Sequence, residues 1–135
     1  MDLNNVRIDA TKEAQGVLVD IDSTTKLLIG SAKGLVYRKA LREKLRKRIE
    51  ELDGVALSED AIEEITTYCM AEHLLLGWEG LMEGEDEVDY SVEKSIEILT
   101  DPAYRQFKDF VTSKAEDISL FRDTSKDVIV GDVKK

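Results

Sequence analysis

The side chains that first suggest chemistry are the single histidine, the single cysteine and several neighbouring carboxylates. His73 follows Glu72 directly, but adjacent residues of a helix point about 100° apart, so the two do not make a ready acid–base couple. Glu50-Glu51 and Glu63-Glu64 fail as catalytic pairs for the same reason and read as solvent-facing helix residues. A hydrolase also needs an activated nucleophile and oxyanion donors; the chain has no Gly-x-Ser-x-Gly, no Walker A and no His-Glu-x-x-His. One cysteine cannot form an internal disulfide, and one cysteine with one histidine does not make a usual zinc site. Carboxylates crowd between Met82 and Tyr90 (MEGEDEVDY), yet Gly84 precedes most of the acids and the alternation of an EF-hand loop is missing. A solvated turn is expected there. The inventory predicts a protein that is not an enzyme and takes no metal and no cofactor.

The elements that carry these residues follow from periodicity. The apolar weight concentrates between Ser58 and Leu81, where Ile62, Ile65, Cys69 and Leu76 recur at helical spacing and Ala61, Tyr68 and Leu75 widen the stripe. Ser58 is a natural N-cap, with Glu59 and Asp60 in the first turn, so a central helix is predicted over about 58–76. Cys69 then reads as a buried, inert thiol. Upstream, Gly34 to Leu52 forms a second helix on Leu41, Leu45, Ile49 and Leu52, closed by Asp53-Gly54. Val17, Val19 and Ile21 alternate with Leu18, Asp20 and Asp22, which predicts a β-hairpin over 16–32 that must lie on the helices to be stable. Downstream, Ser91 caps a helix over 91–100 on Val92, Ile96 and Leu99. Asp101 and Pro102 open a last helix over 102–121. Residues 1–15 read as a loose arm and 122–135 as a mobile tail, polar apart from Val128-Ile129-Val130. The expected fold is α+β and mainly α: an N-terminal hairpin followed by a bundle of about four helices in one domain spanning 16–121.

At 135 residues the chain can bury a core without staples. Its net charge of −10 argues against nucleic acid or an anionic membrane as partner. No apolar run approaches the ~18 residues of a membrane span and no basic-then-apolar leader opens the chain, so a reducing cytoplasm is the expected compartment. The charge is unevenly spread. Lys33 to Arg48 is rich in Lys and Arg, whereas Ile49 to Glu93 contains neither. Opposite surfaces on one small domain suit self-association, and Arg38 and Arg42 are candidate partner contacts on the basic helix. That helix lacks interleaved aromatic platforms, which argues against a nucleic-acid face. Trp78, Leu81, Tyr90, Tyr104, Phe107, Phe110 and Phe121 gather in the second half; of these, Leu81, Phe110 and Phe121 are candidates to hold another protein's apolar segment.

Three pieces occur in order: Leu75-Leu76-Gly77-Trp78-Glu79-Gly80-Leu81 and an acidic turn, then Val88-Asp89-Tyr90-Ser91-Val92-Glu93, then Ile98-Leu99-Thr100-Asp101-Pro102. This series resembles the tail assembly chaperones of long-tailed bacteriophages, in which a helix ends in a Trp and a Gly- and Asp-rich turn. A Tyr-Ser/Thr-x-Glu helix start and a Leu-x-Asp-Pro step follow. Gly34 to Leu41 is similar to that family's Asn-x-x-Tyr-x-x-x-Leu opening, with glycine in place of Asn and Tyr37 at the Tyr position. The resemblance implies structural roles for Tyr37, Trp78, Gly80, Tyr90, Ser91, Asp101 and Pro102. It implies a non-enzymatic protein of the host bacterial cytoplasm that binds the tape-measure protein, helps recruit tail-tube subunits, self-associates and is left out of the finished virion. The competing expectation is an acidic phage-encoded adaptor or inhibitor whose surface mimics a nucleic-acid backbone.

Overall fold

The computed structural model describes residues 1–124. The element order is a 3-10 turn Leu3–Val6, α1 (Ala10–Gln15), β1 (Val17–Asp20), β2 (Lys26–Ile29), α2 (Leu35–Glu51), α3 (Glu59–His73) and β3 (Leu75–Glu79). A two-stranded hairpin, β4 (Met82–Glu83) and β5 (Asp86–Glu87), leads into α4 (Val92–Thr100), a 3-10 turn Pro102–Tyr104, α5 (Arg105–Glu116) and a last 3-10 turn Ile118–Phe121. The fold is α+β and mainly α, as expected from the sequence.

The β1–β2 hairpin turns through Asp22, whose carboxylate accepts from the Thr24 and Thr25 amides at 2.9 and 2.8 Å. Those two amide bonds hold the carboxyl below its ordinary value. The sheet has the order β1-β2-β3, antiparallel throughout, with Leu27 opposite Trp78 and a register shift between Leu28 and Ile29. Its inner face, with Val19, Leu27, Ile29, Leu75 and Trp78, packs on Tyr37 of α2, Cys69 and Met70 of α3, Ile98 and Leu99 of α4, and Val111 and Ala115 of α5.

The third strand corrects the predicted central helix. Helix α3 keeps its Ser58 cap (to the Ala61 amide, 3.1 Å) but ends at His73, capped by Leu74. Leu75 to Glu79 is a strand because β2 presents an open edge that needs a ladder partner, and the residues of the apolar stripe fill it. The acidic stretch expected as a simple turn is the β4–β5 hairpin. The predicted last helix over 102–121 is split three ways. Pro102 opens a 3-10 turn rather than α5, and Asp117 stops α5 by turning its carboxylate onto the Ser119 amide at 3.0 Å.

The N-terminal segment is no loose arm. Asp9 caps α1, accepting from the Thr11 and Lys12 amides, while its own amide donates to the Phe121 carbonyl at 2.8 Å. Ile8 bridges Arg122, the Asp123 amide donates to the Arg7 carbonyl at 2.9 Å, and the Ser31 amide donates to the Glu13 carbonyl at 3.0 Å. Residues 122–124 are therefore tied to the N-terminal segment rather than part of a free tail. Val128-Ile129-Val130 lies outside the described residues.

Two positions make the packing testable. Gly80 has φ +71° and a Cβ there would sit 2.1 Å from the Thr24 carbonyl oxygen, so Gly80→Ala should cost at least about 2 kcal/mol and lower the melting temperature by roughly 6 °C or more. An unchanged melt would show that the turn does not need this approach. Ser95 is fully buried in α4 and its Oγ is the one buried side-chain polar atom without a hydrogen-bond partner among the described residues. Ser95→Ala removes a desolvated hydroxyl and improves helix propensity, so it should stabilise by about 0.5–1 kcal/mol in denaturant melts. A loss of stability would reveal a partner for that hydroxyl.

Candidate functional site

The second half of the chain builds one unit around Trp78 and Tyr90. Trp78 sits on β3 with its ring facing inward; its indole N–H donates to the Val88 carbonyl at 2.7 Å. The Val88 amide donates to the Leu81 carbonyl at 2.8 Å, so the β4–β5 hairpin is tied off at its base. The Tyr90 hydroxyl donates to the Leu75 carbonyl at 2.8 Å, and the two rings meet edge to face with centroids 4.8 Å apart. Burial, and then the nearby Glu93 carboxylate, push the Tyr90 hydroxyl above its ordinary pKa, which keeps it a donor. Gly80 lets the chain leave β3 sharply, and its carbonyl accepts from the Thr25 hydroxyl at 2.9 Å. Ser91 then caps α4 through the Lys94 amide at 3.0 Å, and Asp101 caps the Pro102–Tyr104 turn through the Ala103 amide at 2.9 Å.

This framework leaves an open apolar cleft of about 320 Å³ between the β4–β5 hairpin, α4 and the start of α5. Leu81, Met82 and Val88 form one wall, Ile98 the floor, and Tyr104 and Phe107 the other wall, with Glu83 on the rim. Met82 and Tyr104 are exposed at 50% and 41%, so the mouth itself is apolar. Lys94 of α4 reaches Glu83 of the hairpin at 3.7 Å and Glu97 of its own helix at 3.3 Å.

The residues singled out from the sequence do not all meet here. Leu81 lines the cleft and Trp78 bonds to the carbonyl of Val88, another lining residue; Gly80, Tyr90 and Ser91 lie in the connections beside it, while Asp101 and Pro102 line a separate depression with Thr100 and Lys108. Tyr37 lies elsewhere, buried at the start of α2, where burial and then Cys69 and Glu116 push its hydroxyl up to about 12. Phe121 is not available to a partner: it is fully buried beneath the N-terminal segment that pairs with Arg122. Phe110 is half-buried, with the Lys114 ammonium 5.6 Å over its ring. Arg38 and Arg42 are exposed and carry no ion pair among the described residues, whereas Lys44 reaches Glu72 at 3.1 Å and Arg46 is held by Glu43 and Glu50. Met82, Val88 and Ile98 lie in stretches noted above, but nothing in the sequence marks them as lining a cleft; α4 buries Ser95, Ile98 and Leu99 while Val92 faces solvent.

The chemistry-bearing residues stay apart. His73 Nε2 and Glu72 Oε2 are 3.9 Å apart, too far to hydrogen-bond, and Glu72 is already engaged by Lys44. Cys69 is fully buried and its thiol is pushed up to about 11, chiefly by that burial, which suits an inert core residue. Among the described residues no group of three or more His, Cys, Asp or Glu side chains is placed to hold a metal ion, and no helix is long and apolar enough to cross a membrane.

No curated protein and no solved structure matches this chain. A family model does: that of the YdaY prophage protein, which matches residues 31–132 and so takes in the cleft and every residue that lines it. A match over that much of the sequence places the chain in the YdaY prophage protein family.

Proposed function

We propose that this prophage protein is a tail assembly chaperone, a non-enzymatic binder that holds the tape-measure protein and helps recruit tail-tube subunits in the host cytoplasm, and that it is left out of the finished virion. The observation that carries the reading is the cleft. Leu81, part of the ordered series that resembles that family, lines an open apolar slot at the surface, and Trp78 of the same series bonds to the carbonyl of Val88, which lines it too. A cleft of about 320 Å³ takes one or two large side chains from a helix laid across it, the way helix-in-groove binders work. A long coiled-coil client offers such side chains every turn, and a net charge of −10 keeps the loaded complex soluble.

Co-expression with the tape-measure protein of the same prophage tests this. The client should stay in the soluble fraction with the wild-type chain and precipitate with Leu81→Asp or Phe107→Asp, each of which puts a charge into the cleft wall. Because Leu81 and Phe107 are only half-buried, both variants should keep the wild-type circular-dichroism spectrum. Client solubility that ignores the chain, or ignores these two changes, overturns the proposal.

A further inference from the structure

The antiparallel pair α2–α3 leaves apolar side chains uncovered at the end where the two helices connect. Ile49, Leu52 and Ile62 stand 41%, 41% and 42% exposed there; Leu35 and Val36, at the opposite end of α2, are exposed too, beside the buried Tyr37. Ile49, Leu52 and Ile62 are not scattered. On α2, Arg38, Arg42, Leu45, Ile49 and Leu52 follow an i, i+4, i+7, i+11, i+14 course and lie along one side of the helix. On α3, Glu59 and Ile62 share the matching side. From the body of the protein to the tip, that face therefore runs basic, apolar, acidic.

The spacing makes the face complementary to itself. Lys44 and Glu72 touch across the pair, so they mark one level on the two helices. At 1.5 Å per residue, Ile49 lies about 10 Å tipward of Arg42, and Glu59 lies about 12 Å beyond Ile49. A two-fold axis through Ile49 consequently sets Arg42 of each copy opposite Glu59 of the other, Ile62 opposite Leu45, and Ile49 against itself. Neither Arg42 nor Glu59 has an ion pair within its own chain among the described residues.

From this we infer that the α2–α3 face is a dimer interface: two copies join by a two-fold axis at Ile49 into an antiparallel four-helix seam. The elements involved are separate from the cleft, so the inference stands whether or not the cleft holds a tape-measure client. The footprint, about 25 Å of helix by two helix widths, is on the order of 500 Å² per copy and sits at the small end of stable interfaces. A dimer with a dissociation constant in the range of ~1–100 µM is expected.

Sedimentation equilibrium of the full chain from about 1 to 300 µM reads this directly. Ile49→Asp should give a monomer throughout, because two carboxylates would face each other on the axis. Arg42→Glu and Glu59→Lys alone should each weaken the dimer by roughly tenfold or more, since every change is felt twice. The double variant Arg42→Glu/Glu59→Lys restores opposite charges across the axis and should dimerise within about threefold of wild type, with all four variants showing wild-type helical content. A wild-type monomer at 300 µM, a double variant as weak as either single one, or a ladder of species beyond the dimer would each refute the two-fold interface.

Discussion

Strand β2 has no free edge, and the rest of the molecule accommodates that. Leu27 and Ile29 have no exposed surface, and the strand's backbone is paired to β1 on one side and β3 on the other. A buried strand cannot leave its amides and carbonyls unpaired without losing about 1–3 kcal/mol for each orphaned group. The third strand must therefore come from somewhere, and it comes from the residues directly after α3. Gly30 makes the junction possible: its amide donates to the Leu74 carbonyl at 2.8 Å, and a Cβ there would lie 2.7 Å from the His73 carbonyl oxygen. The closeness of β2 to the end of α3 fixes where β3 starts. It also fixes where Trp78 points and where the chain leaves toward the hairpin.

This coupling explains what the sequence disclosed and what it withheld. Caps are local, so Ser58 and Ser91 could be read from neighbouring residues and each caps the expected helix, while Asp101 makes a capping bond but onto a 3-10 turn ahead of α5. Amphipathic spacing is local as well, and α2, α3 and α4 begin within a residue of where it places them. The strand at Leu75 to Glu79 was hidden because Leu75 and Leu76 fit a helical stripe, and only a partner strand some 50 residues upstream turns them into a ladder. The N-terminal segment was hidden for the same reason on a larger scale. Its polar residues make no pattern, and what orders it is backbone pairing with Phe121 and Arg122. The cleft was half legible: Leu81, Tyr104 and Phe107 stood out as large apolar residues, but which apolar residues stay uncovered is settled only when the hairpin closes.

The exposed ends of α2 and α3 carry a related lesson. Periodicity put Ile49, Leu52 and Ile62 on buried stripes with Leu41 and Ile65, and it was right about the face and wrong about the depth. Among the described residues, the sheet, α4 and α5 close a core around Leu27, Cys69, Leu99 and Val111 and leave Ile49, Leu52 and Ile62 uncovered. Apolar stripes that outrun the core are a cost to a free monomer. They are neutral or favourable in a protein that meets another copy of itself.

A binder with one shallow cleft has limited grip, since a single slot of this size can recover only a few kcal/mol from the side chains it swallows. Joining two copies changes the arithmetic. In the proposed dimer, filling one cleft on the proposed helical client would hold the second near the same client at a raised effective concentration, with no new contact needed. The separation of the two surfaces is what permits this. The cleft is built from β4–β5, α4 and α5, the pairing face from α2 and α3, and no residue serves both. Weak sites used in pairs also let go readily, as the proposed transient coating of a client would require.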